Sequence, residues 1–173
     1  MATQRVINWI NRKFSAYRSK NDFEEMESFC LLWNVFEKEA GNGQTTSLGL
    51  RRIETFISNV NISNHQIIKD GFDFFKRRYI NINTGSTNRN FDTLFSRTPK
   101  KTEKNYKDRL EVFLTNNNAS KKDMILGLSI IAYRIRNNSF HGTKGLDEIV
   151  TQQDTFKHLN DFLMEVLTGF NLI

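Results

Sequence analysis

The stretch that decides the fold is SKKDMILGLSIIAYRIRNNSFHG, residues 120–142. The opening serine and Asp123, three residues later, are typical of a helix N-terminus. Leu128, Ile131 and Ile135 then follow at the i, i+3 and i+7 spacing of one helical face. The stretch therefore predicts a helix that begins at this serine and packs an apolar stripe against the core.

The composition favours helices in the rest of the chain as well. The 173 residues include nine glycines and one proline, and 38% of them are hydrophobic. Few turn residues indicate few turns and long regular elements, and the length suits one domain with a real core. We therefore predict an all-α fold, a single antiparallel helical bundle that spans residues 1–173.

Amphipathic segments between polar breaks locate the other helices. In the first segment we expect Val6, Ile10, Phe14 and Tyr17 to face the core, because they recur at helical spacing. The last segment is expected to be one continuous helix. The predicted helices cover residues 3–17, 23–40, 48–59, 67–80, 103–114 and 146–170, and a long loop at 81–101 holds a short helix near 91–95.

The end of the decisive stretch places an arginine, two amides and a histidine close together, at Arg136, Asn137, Asn138 and His141. A guanidinium binds phosphate in a planar, bidentate manner. Histidine, with a pKa of about 6.5, exchanges protons near neutral pH, as general acid–base chemistry requires. Together these residue types indicate a site that cleaves RNA.

Helical geometry restricts how this arginine and histidine could meet. On a straight helix Arg136 and His141 would be turned about 140° apart, so one regular helix cannot place them on one face. Residues 137–139 are weak helix formers, so we expect the helix to fray there and His141 to turn back. Pairing of two copies of the chain is the alternative solution.

The pattern R-N-x-x-x-H, followed by glycine, resembles the R-x4–6-H signature of HEPN domains. Members of that family are small all-helical proteins, commonly dimeric, and many are endoribonucleases of toxin–antitoxin systems, phage defence or RNA processing. The resemblance implies cleavage without a metal or another cofactor. It also implies RNA as the partner, a homodimer with the site between protomers, and an antitoxin or regulatory protein.

In that resemblance the catalytic residues are Arg136, Asn137 and His141. His141 would transfer the proton as a 2′-hydroxyl attacks the adjacent phosphate, Arg136 would bind the scissile phosphate, and Asn137 would orient His141 or donate to phosphate. Thr143 stands where one toxin subfamily carries a tyrosine that its partner modifies, so that form of regulation is not expected. The residues expected to hold the flanking RNA are Arg134, Asn138, Lys100, Lys101, Lys104, Lys121 and Lys122.

The charge distribution agrees with a polyanionic partner. The net charge is +6, and residues 96–110 contain six cations against two anions. Such clustering favours contact with phosphates, although a solvated basic loop would look the same. A single cysteine, Cys30, and no long apolar run fit a cytoplasmic protein that does not enter a membrane. A non-catalytic helical module that binds RNA, a nucleotide or a protein remains the alternative.

Overall fold

The computed structural model describes residues 4–15, 17–42, 48–96, 101–140 and 146–170. Over these residues the chain forms nine α-helices and no β-strand, which confirms the prediction of an all-α protein. The helices are α1 (Gln4–Phe14), α2 (Glu24–Ala40), α3 (Leu50–Ile57), α4 (His65–Tyr79), α5 (Arg89–Leu94), α6 (Lys101–Thr115), α7 (Lys121–Phe140), α8 (Leu146–Val150) and α9 (Gln153–Gly169).

The central element is α7, which packs against α3, α4, α5, α6 and α9. The predicted stripe is confirmed, because Leu128 and Ile131 are fully buried and Ile135 is nearly so. Ile130 and Ala132, on other sides of the same helix, are also fully buried. A helix that is apolar on all sides must be covered on all sides, and this requirement places α7 in the middle of the fold.

The helices α2 and α9 form the most extensive helix pair. Phe29 and Phe156 meet in this interface with their ring centroids 5.5 Å apart, and both side chains are buried. Burial of each ring stabilises the fold by about 1.5–3 kcal/mol. At the edge of the pair, the buried Asn160 donates from Nδ2 to the backbone oxygen of Glu25 (2.9 Å) and to its Oε2 (2.7 Å). The pair is therefore fixed by both apolar and polar contacts.

Side-chain caps fix where three helices begin. Asn64 precedes α4 and Asn88 precedes α5, and each side-chain oxygen accepts hydrogen bonds from the second and third N–H groups of its helix. At the start of α7, Ser120 and Asp123 bond each other reciprocally through side chain and backbone. The N-cap predicted from sequence is thus confirmed, and such caps contribute about 1 kcal/mol each.

The face predicted for the first helix is wrong. Val6, Phe14 and Tyr17 are 44%, 57% and 100% exposed, whereas Ile7 is the fully buried residue of α1. The periodicity identifies an apolar side of the helix correctly but cannot show that another element covers it. In the described part of the chain, Ile7 is buried but lies outside the main hydrophobic cluster, so most of that side of α1 stays in solvent.

The prediction of one continuous C-terminal helix is also wrong, because α8 ends at Val150 and α9 begins at Gln153. The Thr151 hydroxyl donates to the carbonyl of Glu148 (3.0 Å), a local bond that competes with continuation of the helix. Gln153 donates from its side chain to the backbone of Asp22. The core residues expected in this segment are nevertheless buried, namely Phe156, Leu159, Phe162, Leu163 and Val166, with Leu167 partly buried.

Candidate functional site

The helix that carries the arginine and the two amides does not fray where the sequence predicts it. α7 continues through Asn137, Asn138 and Ser139 to Phe140. The reason is tertiary: Asn138 donates from Nδ2 to the carbonyl oxygen of Leu94 (3.1 Å) instead of to its own backbone. A side chain engaged with a neighbouring helix no longer competes with the helical hydrogen bonds, so weak intrinsic propensity is overridden.

Arg136 lies near the carboxyl end of α7 and is held from two directions. Its Nη2 donates to Oε2 of Glu37 on α2 (3.3 Å), and its Nη1 donates to Oδ1 of Asn137 (3.2 Å). The same Glu37 oxygen accepts from Nε1 of Trp33 (3.1 Å). A chain of contacts therefore runs from the indole through the carboxylate and the guanidinium to the amide.

This arrangement leaves the guanidinium oriented and reachable. The side chains of Arg136 and Glu37 are 32% and 30% exposed, so the ion pair lies at the surface rather than in the core. A fixed guanidinium presents its N–H groups in one plane, which suits bidentate contact with a phosphate. The negative carboxylate beside it offsets part of the charge that a phosphate would meet.

Arg134 does not occupy the position expected of a residue that holds RNA. Its side chain is 4% exposed, its Nε donates to the carbonyl oxygen of Leu94 (3.1 Å), and its guanidinium carbon lies 5.1 Å from the centroid of the Phe95 ring. A buried guanidinium in these contacts braces α5 against α7 and cannot reach a flanking phosphate. The expectation that Arg134 contacts the substrate is corrected on this point.

Asn138 shares that carbonyl with Arg134. Two buried side chains thus satisfy the carbonyl oxygen of Leu94, the last residue of α5, which a short helix would otherwise leave without a partner. Asn138 also lines a cavity between α7 and neighbouring helices. Asn138 therefore positions α5, and it could contact a ligand only in this cavity.

Several expected site residues lie outside the described residues or far from Arg136. His141, Lys100 and the side chain of Lys101 are outside the described part of the chain. Lys104 is exposed on α6, a helix that packs against α7. The structure therefore leaves Lys104 as an exposed cation.

The lysines at the start of α7 are remote from the motif. Lys121 and Arg136 are separated by roughly 22 Å along the helix axis, from the rise of 1.5 Å per residue. Lys121 donates from Nζ to the carbonyl oxygen of Ile62 (3.1 Å) and lies 2.9 Å from Nε2 of His65. Lys122 is exposed beside it. These two lysines could contact only a distant part of an RNA bound at Arg136.

The sequence motif does not pair Glu37 or Trp33 with Arg136. Glu37 and Arg136 are 99 residues apart along the chain. No periodicity or local spacing connects such positions, so only the packing of α2 near the end of α7 identifies the contact.

Among the residues that the structure describes, no group of three or more histidine, cysteine, aspartate and glutamate side chains is placed to hold a metal ion. None of the described helices is both long enough and apolar enough to cross a membrane. No known protein-family model, curated protein or solved structure matches this chain. Any functional conclusion therefore depends on the residues and their geometry.

Proposed function

We propose that this protein is a metal-independent endoribonuclease of the HEPN type, a cytoplasmic helical bundle that needs no cofactor. The observation that carries the proposal is the state of Arg136, which is partly exposed near the end of the central helix and held by Glu37 and Asn137. His141 follows after four intervening residues. A guanidinium oriented before substrate arrives stabilises developing charge without reorganisation.

In the proposed reaction a ribose 2′-hydroxyl oxygen attacks the adjacent phosphorus and the bond from phosphorus to the 5′ oxygen breaks. The products are a 2′,3′-cyclic phosphate and a free 5′-hydroxyl. His141 accepts the proton from the 2′-hydroxyl, or donates the proton that the leaving oxygen takes up. Arg136 binds the non-bridging oxygens and stabilises the added negative charge, and Asn137 orients Arg136 through the contact at its Oδ1.

The proposal includes a homodimer, because α7 stays helical through Ser139. Because the expected break is not seen in that stretch, pairing of two copies of the chain, the alternative considered from the sequence, becomes the favoured way to bring the arginine and the histidine together. Arg136 of one protomer would then act with the partner's His141. On α2, one turn apart, Leu31 and Val35 are 65% and 45% exposed, close in sequence to Glu37. A second copy at this apolar surface would remove it from water and complete the site.

RNA is the partner in this proposal. Lys104 contacts phosphates of the bound strand, and Lys121 and Lys122 serve only a longer strand that reaches the other end of α7. An antitoxin or other regulatory protein would control the activity, as the HEPN resemblance implies.

A second candidate is a non-catalytic module that binds RNA, a nucleotide or a protein through the same surface. One observation favours it: Arg136 is already paired with Glu37. An ion pair that fastens α2 to α7 would have the same geometry if its only role were structural. The two candidates differ in whether RNA is broken.

The test is incubation of the purified protein with unstructured and structured RNA in the presence of EDTA, followed by analysis of the product ends. We expect cyclic phosphates from the wild type, with activity lost in both His141→Ala and Arg136→Ala. Two variants serve as matched controls. His65→Ala removes an exposed histidine at the far end of α7, and Arg109→Ala breaks another arginine–glutamate pair, with Glu54 (2.8 Å).

The controls decide between chemistry and folding. Retained cleavage in both controls, with folded Arg136 and His141 variants inactive, would support the enzyme. RNA binding without cleavage by the folded wild type would support the binding module instead. Cleavage that survives His141→Ala would exclude the mechanism proposed above.

A further inference from the structure

A cavity of about 200 Å³ lies beside the motif helix, on the side of α7 that bears Asn138. Its walls come from the end of α4, from α5, α7 and α8, and from the start of α9. Asn138 and Arg136 are two residues apart, so their side chains point to nearly opposite sides of the helix. The cavity is therefore distinct from the Glu37–Arg136 pair, although both lie at the same end of α7.

Thr155 provides the evidence that the cavity is built for a polar ligand. It lines the cavity, is 1% exposed, and its Oγ1 has no hydrogen-bond partner among the residues that the structure describes. Buried hydroxyl groups in native proteins are nearly always hydrogen-bonded, so this one requires a partner. Thr155 belongs to the first turn of α9, where backbone N–H groups have no acceptor within the helix. A ligand in the cavity that carries a hydrogen-bond acceptor would supply the partner of the hydroxyl.

The charges on the lining restrict the ligand further. Arg78 contributes a cation, Glu148 a carboxylate and Asn90 an amide to the lining. A simple anion would be repelled by the carboxylate, and a simple cation by the guanidinium. The lining therefore suits a neutral group that carries hydrogen-bond acceptors on one edge and donors on another.

The size of the cavity indicates a single ring system. A volume of about 200 Å³ holds roughly six or seven waters at liquid density, which is less than a drug-sized ligand needs. Leu94 and Ile135 contribute apolar surface to the wall. Unpaired bases of single-stranded RNA are recognised in this way, with their faces against apolar groups and their edges hydrogen-bonded.

We propose that this cavity is a base-binding subsite for guanine in single-stranded RNA. Guanine O6 and N7 accept from an arginine, and its N1–H and N2 amino group donate to a carboxylate, which matches Arg78 and Glu148. With the base beside Asn138 and a phosphate at Arg136, the strand crosses the end of α7, where His141 follows in sequence. The subsite rests on the proposed function for its link to cleavage, but its binding of guanine does not.

The experiment is a calorimetric or NMR titration of the protein with GMP, AMP, CMP and UMP, with inorganic phosphate as a separate probe. We expect GMP to bind at least about tenfold more tightly than the other nucleotides, since one bidentate base contact gives discrimination of this order. Phosphate alone should bind far more weakly. Equal affinities for all four nucleotides, or phosphate binding as tight as GMP, would overturn the proposal.

Variants locate the binding in the cavity. Thr155→Val removes the hydroxyl with little change in volume, and Glu148→Gln removes the carboxylate from an exposed side chain; each should weaken GMP binding several-fold. Thr168→Val is the matched control, because this exposed hydroxyl near the other end of α9 bonds the carbonyl of Met164 (2.8 Å). Unchanged GMP binding in folded Thr155→Val and Glu148→Gln would refute the subsite.

The two proposals fail separately. GMP binding that depends on Thr155, in a protein that leaves RNA intact, would retain the subsite and reject the nuclease. Cleavage that depends on Arg136 but shows no guanine preference, together with no GMP binding, would retain the nuclease and reject the subsite.

Discussion

Glu165 gives a quantitative test of how α9 is joined to the start of α4. Its Oε1 accepts hydrogen bonds from the backbone nitrogens of Ser63 (2.8 Å) and Asn64 (2.7 Å) and from the Ser63 hydroxyl (3.0 Å). The residue is 8% exposed. The backbone N–H of Asn64 is the main reason that the pKa of Glu165 lies below its ordinary value of 4.5. The folded state thus favours the carboxylate form.

The size of the effect follows from these bonds. A hydrogen bond to a charged group contributes about 1.5–3 kcal/mol, and three bonds that share one oxygen contribute less than their sum. We expect Glu165→Gln, which keeps an acceptor, to lower the free energy of unfolding at neutral pH by about 1–2 kcal/mol. Glu165→Ala leaves the two backbone N–H groups without an acceptor. It should lower the free energy of unfolding by about 3–4 kcal/mol and Tm by roughly 6–16 °C.

The pH dependence has a defined direction. Because the pKa is lowered on folding, the stabilisation is present above pH 4.5 and is lost as the pH falls through the lower pKa of the folded protein. Urea denaturation of the wild type and Glu165→Gln, from about pH 7 downward, should show a difference that shrinks in acid. Glu24→Gln, at an exposed carboxylate in the first turn of α2, is the control. The reasoning would be refuted if Glu165→Gln lost no more stability than Glu24→Gln, or if its loss of stability were the same at every pH.

Three further predictions concern other contacts in the described residues. Arg134→Ala should lower the free energy of unfolding by about 2–4 kcal/mol in urea denaturation, because it removes a buried guanidinium that caps α5; unchanged stability would exclude the bracing role. In Gly169→Ala the new Cβ would lie 2.8 Å from the carbonyl carbon of Asn61. We therefore expect Tm to fall by several degrees, corresponding to a loss of about 1–3 kcal/mol in the free energy of unfolding. An unchanged Tm would show that this contact relaxes freely. Burial raises the pKa of Tyr79 and Tyr106 to about 12, so both should still be protonated at pH 11 in an ultraviolet titration. The stability that they contribute should therefore decline between about pH 10 and 12. Ionisation of both tyrosines by pH 11 would contradict this prediction.

Local signals predicted much of the fold. The apolar stripe of α7, the Ser120–Asp123 cap and the end of α2 at Ala40 all follow from neighbouring residues, and the structure confirms them. The short helix expected near 91–95 is α5. These features depend on contacts within one or two turns, and residue order encodes such contacts directly.

The errors share a cause, which is that they depend on what packs against each segment. Exposure of Phe14 reflects the absence of a covering element over α1 in the described residues, and burial of Arg134 reflects the approach of α5. The helix continues through Asn138 because a carbonyl on another helix takes its amide. A single sequence gives no measure of these long-range contacts, so propensity and charge alone misplace the residues involved.

The candidate site was predicted in part for the same reason. The sequence places Arg136 and Asn137 together, and the structure shows them hydrogen-bonded. It does not point to Glu37 as the partner, nor to the cavity beside Asn138, because both arise from helices distant in sequence. The motif identifies the helix end of interest, and packing determines which groups surround it.

The most direct test of the central claim is the yield of 2′,3′-cyclic phosphate ends from RNA incubated with Arg136→Ala, His141→Ala and a refolded equimolar mixture of the two. If Arg136 of one protomer acts with the partner's His141, each variant alone is inactive. When the two variants pair at random, half of the dimers contain one copy of each variant, and each of these mixed dimers has one of its two sites intact. The mixture should therefore recover about a quarter of the wild-type rate. No recovery in mixed dimers, or full activity in either variant alone, would contradict the account.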